Sequence, residues 1–265
     1  MTPLSKIDNL YFKREDLNPT GSAKDRALPF QIQNLLNNGF KSAVISSTGN
    51  AAISATYYCQ KENIPLTIFV SPKININKLS LIKGNIIKSL KPISDAIKFS
   101  KANHAYLLRQ STDPSAQVGY AEIAKEILIQ LPQITSLFIP VGSGTTLLGI
   151  AKVLPNNVKI FAAQPASNPT ISSVFDQDYT PETQTITDAL SVKYLPLKTE
   201  VINAIKSRYS FGIVVKNTDA IKYLDFVKQF ETSPESALTL AAYHQIKNKP
   251  EVGDYPVILL TGTKR

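Results

Sequence analysis

Short apolar runs of strand length alternate along this chain with longer stretches of helical period. "SAVIS" (42–46), "LTIFV" (66–70), "AYLLR" (105–109), "SLFIPV" (136–141), "VKIFAAQ" (158–164) and "YPVILLT" (255–261) read as strands. Helical patterns fall between them: "AAISATYYCQKEN" (51–63), "DAIKFSKAN" (95–103), "GYAEIAKEILIQL" (119–131), a helix through "LLGIAKVL" (147–154), and two more near 219–231 and 234–247. Strand, loop and helix in repeated succession predict an α/β fold with a mostly parallel sheet. No internal repeat of fixed period and no low-complexity segment interrupts the pattern. Residues 165–200 stand apart, being rich in Pro, Ser and Thr without period. A long irregular stretch of this kind often marks a functional loop.

Composition narrows this picture. The chain has 265 residues, 43% hydrophobic and 18% charged, enough apolar content for a sizeable core and against disorder. The net charge of +9 could serve nucleic acid, a membrane surface or an anionic ligand. The lysines are scattered, however, with no dense basic run and no aromatic-interleaved patch, so no nucleic-acid partner is expected. The single cysteine, Cys59, excludes an internal disulfide and reads as a buried small residue on a helix. His104 and His244 are far apart and lack metal-ligand spacing, so no metal is expected. The N-terminal stretch has no signal-peptide core and no apolar run approaches the ~20 residues of a membrane span, so the expected compartment is the cytoplasm.

Chemistry gathers at three strand–helix junctions, which parallel α/β folds collect at one end of the sheet. In "NPTGSAKDR" (18–26), a turn leads to Ser22 as a candidate helix cap and places Lys24 in the first helical turn. A helix N-terminus disfavours a protonated amine, and a neutral lysine is a nucleophile able to form a Schiff base. The bland alternative is a solvated lysine opening a helix. In "SSTGNAA" (46–52), Ser47, Thr48, Asn50 and Ala51 crowd a helix start whose free amides could take a carboxylate; Asn50 could also bond a ring hydroxyl. In "VGSGTTLLG" (141–149), Gly142, Ser143, Gly144, Thr145 and Thr146 build a phosphate cradle in physical terms, though neither a Walker A loop nor a clean G-x-G-x-x-G. A Schiff-base lysine, a carboxylate site and a phosphate cradle together fit pyridoxal phosphate beside an amino acid. Thr261, ending the last strand in "LLTGTKR", could meet the pyridine nitrogen with a neutral hydroxyl.

These motifs, in this order, resemble the fold-type II pyridoxal-phosphate enzymes, the tryptophan synthase β family, and within it most closely threonine synthase. "YFKREDLNPTGSAKDRA" is similar to that family's cofactor-lysine motif and "SSTGNAA" to its asparagine loop. "LLRQSTDPSAQVGYAEIAKEI" is similar to the segment before its central helix, "VGSGTTLLGI" to its phosphate loop and "YPVILLTGT" to its last strand. The resemblance spans nearly the whole chain. It implies Lys24 as the lysine that holds the cofactor and shuttles protons, Asn50 on the cofactor's 3-hydroxyl, residues 142–146 on its phosphate and Thr261 at its ring nitrogen. Ser47, Thr48, Asn50, Ala51 and Ser111 are the expected substrate contacts. The implied fold is two α/β lobes, each with a mostly parallel sheet flanked by helices and the cofactor in the cleft between them. The expected division is a smaller lobe of residues 13–115 and a larger one of residues 1–12 and 116–265; a homodimer is an expected assembly. Departures from the family pattern are Ala23 before the lysine, Thr145 where glycine is common, no arginine after Asp113-Pro114, and a chain short for the family. The expected reaction is a lyase reaction on an amino acid, first that of threonine synthase, releasing phosphate from O-phosphohomoserine. The alternatives are an L-serine/L-threonine dehydratase or a cysteine synthase-like β-replacement enzyme, and more remotely a non-catalytic cofactor- or nucleic-acid-binding protein.

Overall fold

A computed structural model describes every residue except Asn75, Ser191, Lys193 and Tyr194. The chain opens with β1 (Leu4–Ile7) and β2 (Leu10–Arg14), then runs α1 (Lys24–Asn37), β3 (Ala43–Ser46), α2 (Asn50–Lys61), β4 (Leu66–Val70), α3 (Ile76–Ser80), β5 (Asn85–Lys88), α4 (Pro92–Ala102) and β6 (Tyr106–Leu107). Next come α5 (Ser115–Gln130), β7 (Ser136–Pro140), α6 (Thr145–Ala151), β8 (Lys159–Pro165), α7 (Lys198–Lys206), β9 (Gly212–Val215), α8 (Asn217–Ile221), α9 (Leu224–Lys228), α10 (Pro234–Ile246) and β10 (Pro256–Leu260).

Two sheets result. One is ordered β1-β2-β10-β7-β8-β9, the other β5-β4-β3-β6. Every pairing is parallel except the β1–β2 hairpin. The expected α/β fold with mostly parallel sheets flanked by helices is therefore present. β2 still pairs in the larger sheet through Arg14 and Leu260, so residue 13, the expected start of the smaller lobe, falls inside a strand of the larger sheet.

Burial on both faces explains the apolar runs. In β7, Leu137 and Ile139 pack with Tyr120, Ile123 and Ile127 of α5, while Phe138 between them packs on the other side with Phe12, Phe161 and Leu240. A parallel sheet covered by helices on both sides needs such unbroken apolar strands. The smaller sheet repeats the device: Ile45, Ile68 and Val70 face one cluster, Val44 and Phe69 the other.

The pattern misreads the shortest elements. β5 and β9 were not among the expected strands, because a four-residue strand with two or three large apolar residues has too few positions to show a period. "AYLLR" pairs only over Tyr106–Leu107, at the sheet's edge, before the chain coils into a turn at Gln110–Thr112. The helix expected near 219–231 is two short helices, α8 and α9.

Candidate active site

The ends of three strands and the starts of three helices meet around one cavity of about 660 Å³. Its lining includes Lys24 from the start of α1, Ser47, Thr48, Asn50 and Ala51 from the start of α2, and Ser111 from the turn after β6. Gly142, Ser143, Gly144 and Thr146 come from the β7–α6 junction and Thr261 from the end of β10. The three junctions that stand far apart in sequence thus share one space.

Lys24 is held there by backbone stitching on both sides. The Ala23 N–H donates to the Thr261 carbonyl at 2.9 Å, and the Thr263 N–H donates to the Gly21 carbonyl at 2.9 Å. The first turn of α1 is thereby fixed to the end of β10. This also corrects the expected role of Ser22. The N-cap of α1 is Ala23, without a side-chain cap, and the Ser22 hydroxyl is buried with no hydrogen-bond partner among the described residues. Tertiary contacts replace the cap, since Ser22 itself is bridged to Gly262.

The acid and base that follow Lys24 brace the site. Asp25 accepts from the Thr20 N–H and the Thr20 hydroxyl, each at 2.6 Å, and from the Ser54 hydroxyl of α2 at 2.6 Å. Arg26 donates to Glu15 at 2.7 Å and to Glu126 of α5 at 2.6 Å. Lys13, fully buried, completes this cluster on Glu126 and on the Thr2 carbonyl, 2.7 Å away. Burial alone would raise the Glu126 carboxyl, but hydrogen bonds from Arg26 and Lys13 outweigh it and hold the group down at about 2. Burial pushes the Cys59 thiol up to about 12, so Cys59 is packing and not a nucleophile.

The Lys24 amine points to a different kind of partner. Its Nζ donates to the Tyr120 hydroxyl at 3.2 Å, and that hydroxyl donates to Gln110 Oε1 at 2.9 Å. Close helix packing sets this contact: a Cβ on Gly119 would lie 2.0 Å from the Arg26 carbonyl oxygen, so α5 reaches the first turn of α1 only because residue 119 has none. The same logic places Asn50. A Cβ on Gly262 would lie 2.7 Å from Asn50 Nδ2, so the bare backbone after β10 lets that amide approach.

In the β7–α6 loop, Gly144 takes a φ of 83°, and a Cβ there would lie 2.4 Å from Val201 Cγ2. Glycine is required on both counts. Thr145 departs from expectation: its side chain is buried behind the loop, 3.0 Å from the Ser143 hydroxyl, and does not line the cavity. Only its backbone remains available to a ligand.

Several residues of the site were not read from the sequence. Gln110, which lines the cavity, and Tyr120, buried behind it against Lys24, carry no motif. The irregular stretch 165–200 contributes Ile186, Asp188, Ala189, Leu190 and Val192. Buried Glu235, at the start of α10, fixes part of it by accepting from the N–H groups of Asp188 and Ala189. Asp188 also pairs with Lys78 of α3, tying this loop to the smaller sheet's side of the cavity. The absence of period in that stretch was the signal for these residues; nothing marked Tyr120.

A pyridoxal phosphate fits this donor set: an amine for its aldehyde, a carboxamide for its 3-hydroxyl, a glycine-rich helix start for its phosphate and a hydroxyl for its ring nitrogen. The cavity is of the size that holds such a group with a small substrate.

Comparison with known proteins points the same way. A sequence profile of the family described as pyridoxal-phosphate dependent enzyme matches residues 1–262. Serine racemase of Rattus norvegicus is 32% identical over 173 residues, covering 60% of this chain and 52% of that protein. Threonine synthase of Methanosarcina acetivorans is 27% identical over an alignment of 301 residues, covering 98% of this chain and 73% of that protein. The matched region spans about half the length of the serine racemases of Rattus norvegicus and Homo sapiens. Among solved structures, maize serine racemase superposes with a TM-score of 0.87 at 20% identity, over 100% of this chain and 88% of that one, which is a likeness of fold.

Proposed function

The chain belongs to the pyridoxal-phosphate dependent enzymes, with pyridoxal 5'-phosphate as its cofactor; from that premise we propose that it acts on a β-hydroxy amino acid, serine or threonine. The reaction is removal of the α-proton followed by loss of the β-hydroxyl as water; the enamine released then takes up water, giving a 2-oxo acid and ammonia. The observation that carries this reading is the single cavity in which Lys24, Asn50, the residue 142–146 loop and Thr261 converge.

When bound, the cofactor supplies an aldehyde that captures amines and a ring that spreads the negative charge left at the α-carbon. The chain's own residues do the rest. Lys24 holds the group and moves the proton at the α-carbon. The amides at the start of α2, with Ser47, Thr48 and Ser111 beside them, take the substrate carboxylate, because a helix start of twelve residues presents unpaired N–H groups. Asn50 bonds the 3-hydroxyl. Amides of residues 142–146 take the phosphate, with Thr145 contributing only its backbone. Thr261 meets the ring nitrogen with a neutral hydroxyl, which withdraws electrons less than a full proton donor would and favours loss of the side-chain group over transamination.

The threonine synthase reading requires a second anion site for the substrate's own phosphate. Arg26, one candidate, is committed to Glu15 and Glu126 and lies outside the cavity lining, while Arg109, the other, lines the cavity together with Lys78, Lys264 and Arg265. The commitment of Arg26, and the similarity to serine racemases, support the serine/threonine reading. The test is a substrate screen of holoenzyme with L-serine, L-threonine, O-acetylserine and O-phosphohomoserine. Pyruvate from serine or 2-oxobutyrate from threonine is the expected result. Phosphate and threonine released together from O-phosphohomoserine, with no 2-oxo acid from the other substrates, would replace this reading by threonine synthase.

A further inference from the structure

We propose that the Tyr120 hydroxyl, fixed by Gln110, is the partner on which the Lys24 amine rests whenever it is not covalently held, so that Tyr120 sets the direction from which Lys24 takes and delivers a proton. The inference rests on the reading of Lys24 as the cofactor lysine.

The geometry forms a chain of three groups. Tyr120 has one hydroxyl proton, and it goes to Gln110 Oε1 at 2.9 Å. The phenol oxygen therefore meets Lys24 Nζ, 3.2 Å away, as an acceptor. An amine that points one N–H at the phenol must carry its lone pair in another direction, away from Tyr120. The same phenol also accepts from the ammonium form, and more strongly, because that donor is charged. It can thus hold Lys24 in both states that a proton shuttle must visit, without the opposite charge that would trap one of them.

Packing alone does not account for this arrangement. Tyr120 is fully buried, and its ring lies in the apolar cluster with Ile123 and Leu137. A phenylalanine would serve that cluster without a hydroxyl to satisfy. Gln110 Nε2 is buried without a hydrogen-bond partner among the described residues. Gln110 lines the cavity, and its carbonyl orients the phenol. Its position three residues after β6 sets the Tyr120 proton on one side, and the glycine at 119 presses α5 against α1 so that the phenol's other side reaches Lys24. Tyr120 is in this account a positioning residue for Lys24, and Gln110 a positioning residue for Tyr120.

The test uses cofactor-free protein and holoenzyme of the natural sequence and of Tyr120→Phe, Gln110→Met and Lys24→Ala. The first readout is the pH dependence of the rate at which cofactor-free protein condenses with pyridoxal phosphate, followed by absorbance; the amine nitrogen attacks the aldehyde carbon, C=N forms and water leaves. The second is kcat and KM on the substrate found in the screen, alongside cofactor content and Tm. Tyr120→Phe removes an acceptor for the ammonium, so its condensation profile should move to lower pH by about half a unit or more. Its kcat should fall roughly tenfold, the weight of one charge-assisted hydrogen bond, with KM within about threefold. Gln110→Met should move both readouts the same way by less, and it carries the test alone if Tyr120→Phe does not fold. A natural condensation profile and natural kcat in these variants would overturn the proposal, as would a kcat loss accounted for by lost cofactor content. Lys24→Ala separates the two levels. If it still condenses at a defined site, the assignment of Lys24 fails; if only Lys24→Ala loses condensation while Tyr120→Phe behaves as the natural protein, the role of Tyr120 alone fails.

Discussion

Lys24 and Arg26 sit two residues apart in the first turn of α1, and their surroundings differ completely. Arg26 is clasped by Glu15 and Glu126, with Lys13 buried against the same carboxylate. Its charge is answered twice over and nothing is left to react. Lys24 meets a phenol and a cavity. The difference shows what separates a bracing cation from a reactive one. A carboxylate partner fixes the charged state, whereas a neutral partner leaves the amine free to change it. The helix N-terminus, common to both, does not decide the matter; the partner across the helix does.

The largest effect should come from breaking the reactive side. Lys24→Ala should abolish the absorbance of covalently held cofactor and lower turnover by at least about a thousandfold, the scale on which nucleophile and proton-transfer roles weigh when lost together. Its Tm should stay close to that of the natural chain, because Lys24 makes no ion pair among the described residues. Spectra, turnover and a melting curve on one preparation check this. A fall in Tm matching the loss of function would mean that Lys24 is a brace like Arg26.

Breaking the bracing side should do the reverse. Glu126→Ala takes the nearer carboxylate from buried Lys13, leaving it Glu15 at 3.9 Å, and one of the two carboxylates from Arg26; breaking a buried pair of this kind costs up to about 3–5 kcal/mol. Urea unfolding should show this loss, with residual activity where the variant is folded. The same carboxylate gives a pH signature. Its folded value is about 2 against an ordinary 4.5. A lowered carboxylate value means that the fold binds the ionised form better, so its stabilisation is complete above about 4.5 and disappears as pH falls through about 2. Stability should decline over that acid window in the natural protein, and Glu126→Gln should flatten this part of the decline.

Gly119→Ala tests the joint between the two sides. Its Cβ would meet the Arg26 carbonyl oxygen at 2.0 Å, so α5 must withdraw from α1. Overpacking of this kind costs about 1–3 kcal/mol. The withdrawal should also separate Tyr120 from Lys24, so kcat should fall more than the Tm loss alone accounts for; unchanged kcat would show that the helices do not control the amine.

Much of this was legible in sequence, for physical reasons that differ by residue. "SLFIPV" and "LTIFV" announce buried parallel strands because both faces are covered, and the junctions at Lys24, Asn50 and Gly142 stand out because ligand-binding turns demand small and polar residues. The braces were not legible. Glu126 is 100 residues from Arg26 in the chain, and Glu126 and Lys125 look alike as charged positions on a long helix. One is buried in the cluster and the other pairs at the surface with Glu122, a distinction set wholly by the side of α5 that faces α1. Tyr120 was hidden for the same reason, since an aromatic on an amphipathic helix reads as core, and it is core except for its hydroxyl.

The smallest effect should come from Thr145, where sequence and structure part most clearly within the phosphate loop. Its position in "GSGTT" gives it the look of a ligand residue equal to Thr146. In the fold its hydroxyl pairs with the Ser143 hydroxyl at 3.0 Å and its side chain is buried away from the cavity, while Thr146 lines it. A side chain with these contacts can act on a bound phosphate only by steadying Ser143, and its amide is untouched by substitution. Thr145→Val keeps the shape and removes one neutral hydrogen bond, worth about 0.5–1.5 kcal/mol to stability. Cofactor affinity, measured by titrating the cofactor-free protein, should weaken by no more than about threefold, since the lost bond holds the loop rather than the ligand. Thr146→Val, which alters a lining side chain, should weaken it more. A reversed order would place the Thr145 hydroxyl on the ligand and return this threonine to the same reactive side as Lys24.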